Sequence, residues 1–184
     1  MFSLKIDDEL ELALPTEKSA RRAYEIITEN YDHLREWMPW VTEGLTADEI
    51  REFYRRTFMR FDDGDEVGMQ LVYRGEIVGG TGFVNIDRKA RKLEIGYWLI
   101  ESATGRGLMT RAVERLIDFA FDEMEMNRIV IRCAPGNLKS RAIPERLGFT
   151  REGTAREASW LHDRWVDLVV YSMLLKDWRV ESGE

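Results

Sequence analysis

One cysteine, Cys133, is all the chain offers to sulfur chemistry, and a single thiol excludes an intrachain disulfide framework. Histidine is almost as scarce. With only His33 and His162 beside that cysteine, no metal-ligand spacing is present, and no metal is expected. Positive charge is in the minority: 27 Lys and Arg against 34 Asp and Glu give a net charge of −7. That balance argues against nucleic acid as a partner, because neutralising phosphates takes clustered cations. No apolar run approaches membrane-spanning length, and the N-terminus lacks a signal-peptide core, so a place in the reducing cytoplasm without membrane contact is expected. Its 184 residues, 44% hydrophobic and 33% charged, suit one soluble domain over 1–184.

The richest stretch runs from Leu93 to Met124. Leu93 to Ile100 reads as a strand, with Leu93, Ile95, Tyr97 and Leu99 on one face and Glu94, Gly96, Trp98 and Ile100 on the other. A turn closes with Gly105-Arg106-Gly107, and a helix starts near Leu108 with apolar residues at 109, 112, 113, 116, 117, 120 and 121. A strand feeding a helix through Gly-x-Gly aims several N–H groups at one point, and the helix end adds its unpaired donors. Such a loop binds phosphate. It is not a Walker loop, because Gly107 is followed by Leu108, Met109 and Thr110 rather than by Lys and Ser or Thr. Nor is it a dinucleotide fingerprint: Thr110 stands where the third glycine belongs, and no earlier strand-helix-strand unit precedes it.

The rest of the chain reads as follows. Residues 2–14 form a first strand stopped by Pro15, and Thr16 caps a helix through Asn30. The segment His33 to Val41 carries Trp37, Met38, Pro39 and Trp40. A helix after Thr46, with Glu49 placed for a capping box, carries Ile50, Phe53, Tyr54, Phe58 and Met59, either as plain core or as a wall of a binding site, and 62–65 is a loop. Strands 67–73 and 76–86 meet at Arg74-Gly75, and 87–92 is a turn. Strand 128–133 is followed by a helix capped by Asn137 and running through Leu147, then by strands 149–158 and 165–175 with a solvated tip at His162. The composition is that of a mixed α/β fold around one central sheet.

Ile95-Gly96-Tyr97-Trp98-Leu99 with Gly105-Arg106-Gly107-Leu108-Met109-Thr110, then Asn137-x-x-Ser140 and Leu147-Gly148-Phe149, resemble in order and spacing the motifs of the GNAT N-acetyltransferases. The branch they resemble most is the N-terminal acetyltransferases of ribosomal proteins. The resemblance implies the GNAT fold, an α/β (α+β) arrangement with one mixed, largely antiparallel sheet flanked by helices. It implies acetyl-coenzyme A as cofactor, its pyrophosphate wrapped by the amides of Gly105, Arg106, Gly107, Leu108 and Met109. Ser102 replaces the family's usual Gln or Arg ahead of the first glycine, which removes a side-chain contact and leaves the backbone ones. Backbone groups of Trp98, Leu99 and Ile100, and the Asn137 side chain, would meet the pantetheine arm.

Trp37 and Trp40 resemble the branch's tryptophan motif and would wall the acceptor site, with plain core packing as the bland reading. Glu94 is the expected base, with an ion pair to Arg91 or Lys92 as its bland reading and Glu66 as its rival. Ser140 is expected to stabilise or protonate the departing thiolate, and Cys133 to be an inert core thiol. The acceptor implied is a protein N-terminal α-amine, as on a ribosomal protein. Small amines or polyamines, and a silent coenzyme A binder on the same fold, stand as alternatives. A homodimer is compatible with an exposed sheet edge or with the aromatic helices.

Overall fold

A computed structural model describes residues 3–63 and 66–181. An eight-stranded sheet runs through it: β1 (Ser3–Lys5), β2 (Leu10–Ala13), β3 (Val67–Tyr73), β4 (Glu76–Asp87), β5 (Lys92–Leu99), β6 (Arg128–Cys133), β7 (Thr150–Leu161) and β8 (Arg164–Leu174). The spatial order is β1-β2-β3-β4-β5-β6-β8-β7, and every neighbouring pair is antiparallel except β5 and β6. The helices are α1 (Glu17–Glu29), α2 (Tyr31–Arg35), α3 (Ala47–Asp63), α4 (Leu108–Asp122), α5 (Leu138–Arg146) and α6 (Leu175–Glu181). No helix among the described residues is long and apolar enough to cross a membrane.

Each sheet face has its own cover. Leu93 and Ile95 of β5, Ile129 and Ile131 of β6, and Phe83 of β4 face α4, which buries Leu108, Ala112, Val113, Leu116, Ile117 and Ala120 against them. Each fully buried Leu or Ile there contributes about 1.5–3 kcal/mol, so α4 is fixed by its core side. On the other face α1 and α3 form a smaller cluster through Ala20, Ala23, Ile27, Ile50 and Tyr54, with Trp98 against it. Local chemistry starts these helices as expected: Thr16 and Ser19 form one capping box, and Thr46 and Glu49 form another.

Four expectations change. Residues 2–14 are two strands, not one: the Asp7 carboxylate accepts from the amides of Glu9 and Leu10 and turns the chain back on itself. The last strand ends at Leu174 and passes into α6, whose Trp178 Nε1 donates to Asp118 on α4. Helix α3 runs to Asp63, into the expected loop, while Gly64 and Asp65 lie outside the described residues, as do the side chains of Phe58 and Met59. Phe53, read as plain core with an acceptor-site wall as the alternative, is 43% exposed.

Candidate active site

The sheet is split in its middle. Strands β5 and β6 pair in register only at Lys92/Arg128, Leu93/Ile129 and Glu94/Val130. Beyond Glu94, β5 continues to Leu99 paired with β4 alone, so its other edge opens into a wedge. The loop at the top of β5 ends in two left-handed glycines, Gly105 (φ 74°) and Gly107 (φ 71°). A side chain there would be strained, and a Cβ built at either position meets no atom within 4 Å. Among the described residues, no amide from Gly105 to Met109 donates to another protein group. Leu108 and Met109, 2% and 4% exposed, pack into the core and fix the first turn of α4 beside the loop. Orphaned donors around Cβ-free space at a helix N-terminus fit a diphosphate.

The other expected cofactor contacts are placed less uniformly. The Arg106 guanidinium lies over the Tyr73 ring at 4.6 Å and donates to its hydroxyl over 3.0 Å. The Ile100 amide already donates to Val78 O over 2.9 Å, so Ile100 has no N–H to give a ligand. The Leu99 carbonyl is 3.1 Å from His33 Nε2, a contact the sequence did not suggest. Trp98 turns its indole across Gly80, where a Cβ would stand 2.5 Å from Nε1.

At the mouth of the wedge three side chains meet. Ser140 Oγ is 3.1 Å from Cys133 Sγ and donates to the Tyr97 hydroxyl over 3.3 Å, while Tyr97 donates to the Ser140 carbonyl over 2.9 Å. Asn137 Oδ1 accepts from the Ser140 amide at 3.1 Å and so sets the first turn of α5. Burial pushes the Tyr97 phenol well above its ordinary pKa, and burial also raises the Cys133 thiol. All three groups are therefore neutral donors near neutral pH. Tyr97 is missing from the sequence-based site because strand alternation marks it as core; its hydroxyl reaches Ser140 only in the folded chain.

The two carboxylates differ. Both Glu94 oxygens accept from Arg132, at 3.0 and 2.7 Å, and one accepts also from Asn85 at 3.0 Å. Its side chain is 17% exposed, and the fork ties β5 to β6 where their pairing stops. The expected neighbours are engaged elsewhere: Arg91 with the Glu125 carbonyl, Lys92 with Asp87. Glu66 lines the adjoining cavity, whereas Glu94 does not.

That cavity is about 730 Å³. Gly68, Gly82 and Gly96 lie side by side across β3, β4 and β5 and make its floor. Trp37, Met38, Trp40 and Phe53 line it, as do Leu161, Val166 and Leu168 of the β7–β8 hairpin. Ser140 and Cys133 also line it. The hairpin tip is not simply solvated: His162 Nε2 lies 2.8 Å from the Arg35 carbonyl and pins the tip to α2.

A split sheet with an amide-lined loop on one side and an open-mouthed cavity on the other is the architecture of an acyl-transfer enzyme working between two substrates. The Acetyltransferase (GNAT) domain profile matches residues 9–150, and the chain belongs to that family. It is an N-acetyltransferase that uses acetyl-coenzyme A. It is 38% identical over 186 residues to YdaF of Bacillus subtilis (strain 168), whose name places it provisionally among the ribosomal N-acetyltransferases; the match covers 99% of this chain and 100% of YdaF. It is 27% identical to the ribosomal-protein-serine acetyltransferase of Escherichia coli (strain K12), over 94% of this chain and 97% of that one. Among solved structures, the Microcin C7 self-immunity acetyltransferase MccE in complex with acetyl-CoA and AMP superimposes with a TM-score of 0.89 at 29% identity, covering 93% and 95% of the two chains.

Proposed function

We propose that the protein transfers acetyl directly from acetyl-coenzyme A to the N-terminal α-amine of another protein, a ribosomal protein being the natural candidate, with both substrates bound together. The observation that carries this is the cavity of about 730 Å³, which meets the wedge at Ser140 and lies across the sheet from α4 and its loop. Its aromatic walls suit the first side chains of a peptide, and Glu49, Glu52 and Glu66 in its lining suit the positive charge of an amine. The Escherichia coli relative named for ribosomal-protein serine supports the same acceptor.

The chain's own groups divide the work. The amides of Gly105 to Met109 hold the diphosphate, and the free edge of β5 takes the pantetheine arm from Trp98. Bound there, acetyl-coenzyme A supplies an acetyl group activated as a thioester. An α-amine has a pKa of about 7.7–8.0 against about 10.4 for lysine, so its deprotonation costs about 3.4 kcal/mol less. A weakly basic group therefore suffices. We assign that part to Glu66, which lines the cavity, rather than to Glu94, which does not. Ser140 turns its hydroxyl to donate a hydrogen bond to the departing sulfur and stabilises the thiolate; its present bond to Tyr97, at 3.3 Å, is long and cheap to redirect.

A thiol-release assay tests this with an N-terminal serine peptide, the same peptide blocked at its α-amine but carrying lysine, and a polyamine. The free α-amine is expected to be acetylated most efficiently. Ser140→Ala should lower kcat on the order of 100-fold, and Glu66→Gln should lower kcat/KM more than Glu94→Gln does. Faster turnover of lysine or polyamine removes the acceptor assignment. Equal rates for wild type and Ser140→Ala remove the role given to Ser140.

A further inference from the structure

The cavity wall is apolar over most of its length, but one polar rung crosses its floor. Tyr54 on α3 and Gln70 on β3 are 7% and 5% exposed, and Gln70 Nε2 donates to the Tyr54 hydroxyl over 3.0 Å. Both residues line the cavity. Among the described residues, the Gln70 carbonyl oxygen and the Tyr54 hydroxyl hydrogen have no partner. Exchanging the amide's nitrogen and oxygen would again leave the pair with one uncommitted donor and one uncommitted acceptor. Burial holds the Tyr54 phenol above its ordinary pKa, so it stays a donor.

Trp98 completes the rung. Gly80 stands between Gln70 and Trp98 in the sheet register. The two outer Cα atoms are about 9–10 Å apart across two strand spacings. Because Gly80 has no side chain, the Trp98 indole lies over it and carries Nε1 toward Gln70. Among the described residues that N–H has no acceptor either. Two donors and an acceptor thus gather on one stretch of an otherwise apolar floor. The Gln70 oxygen and the Trp98 N–H are not sealed away but open onto the cavity, so each is available to whatever enters.

A hydroxyl completes it: it donates to the Gln70 oxygen and accepts from Tyr54 or Trp98. A methyl completes nothing, and an ammonium has no lone pair for the two donors. We infer that Tyr54, Gln70 and Trp98 read the side chain of the acceptor's first residue and select a hydroxyl-bearing one, serine or threonine, over alanine. This rests on the N-terminal acceptor reading above.

Two peptides identical except for Ser or Ala at position one test it, by kcat/KM with wild type, Tyr54→Phe and Gln70→Met. Wild type is expected to favour serine by about tenfold or more. Each variant should lose that preference, with the loss falling on the serine peptide and entering mainly through KM. A thermal melt of each variant checks that it is folded. Equal rates on both peptides in wild type overturn the inference and leave the acceptor class standing. So do variants that slow both peptides by the same factor, which would make the pair structural. Turnover of neither peptide removes the acceptor class and this inference with it.

Discussion

The donor side of the wedge is built from backbone and the acceptor side from side chains, and the two are anchored differently. Gly105, Gly107 and the first amides of α4 present main-chain donors, and α4 is held by residues such as Leu108, Ala112 and Leu116 at 2%, 0% and 0% exposure. The acceptor cavity is walled by Trp40 and Phe53, 40% and 43% exposed, on peripheral segments. It is lined also by a hairpin tied at the tip through His162 to Arg35. On the proposed function, a cofactor shared by a whole family would be held by atoms every residue possesses, on an element that the core cannot release. An acceptor peculiar to one enzyme would be held by side chains that can change without disturbing that core. The division predicts which substitutions damage which substrate.

The largest effect should come at Gly107. Valine there meets two penalties: a β-branched residue at φ 71°, and methyl groups in the space the diphosphate needs. The strain alone costs on the order of 1–2 kcal/mol and lowers the melting temperature by several degrees. Displacing a phosphate from two amides forfeits about 1.5–3 kcal/mol per bond, so coenzyme A affinity should fall on the order of 100-fold or more. Calorimetric titration reads this directly. Unchanged affinity in a folded variant would mean that the loop is not the phosphate cradle.

Gly96 sharpens the contrast from the other side. It lies on the cavity floor, its φ is not positive, and a Cβ there meets nothing within 4 Å. Gly96→Val should therefore fold, intrude on the acceptor and raise acceptor KM by about tenfold while coenzyme A affinity is retained. If coenzyme A affinity falls as far as acceptor affinity does, the two sides are not separable at β5.

The same division explains what could be read from the sequence. Devices that work within a few residues are visible there: the Thr46–Glu49 box, the Asn137 cap, and the glycines at 105 and 107. Contacts made at a distance are not. Glu94 finds its partner 38 residues away in Arg132, although Arg91 and Lys92 stand close by in sequence. Tyr97 reaches Ser140 across 43 residues, and His162 reaches Arg35 across 127. Where Asp7 breaks the first strand, the apolar alternation continues on both sides and conceals the turn. The run that ends β8 passes into α6 with no proline or glycine to mark the change.

The smallest effect tests strand β6, which the wedge and the far half of the sheet share. Its Arg132 end is held to β5 by Glu94, and its Arg128 end is held to Glu152, which accepts two bonds of 2.6 Å from Arg128 and one of 2.8 Å from Ser172. Those bonds, the Arg128 ones foremost, hold the Glu152 carboxyl at about 2 instead of 4.5. A carboxylate lowered in this way stabilises the fold above its unfolded pKa and ceases to as pH falls toward 2. Taken at face value the shift is worth about 3.4 kcal/mol, but the side chain is 39% exposed and screening reduces this to about 1 kcal/mol. Glu152→Gln should thus be less stable than wild type by about that amount in urea titrations at pH 7, and the gap should shrink below pH 4.5. Because this pair lies on the side of β6 away from β5, acceptor KM and coenzyme A affinity should stay at wild-type values. A gap that is the same at pH 7 and pH 3 would show that the glutamine destabilises by packing rather than by losing the ion pair. A change in coenzyme A affinity would show that the wedge responds to both ends of β6 and not to the Glu94 fork alone.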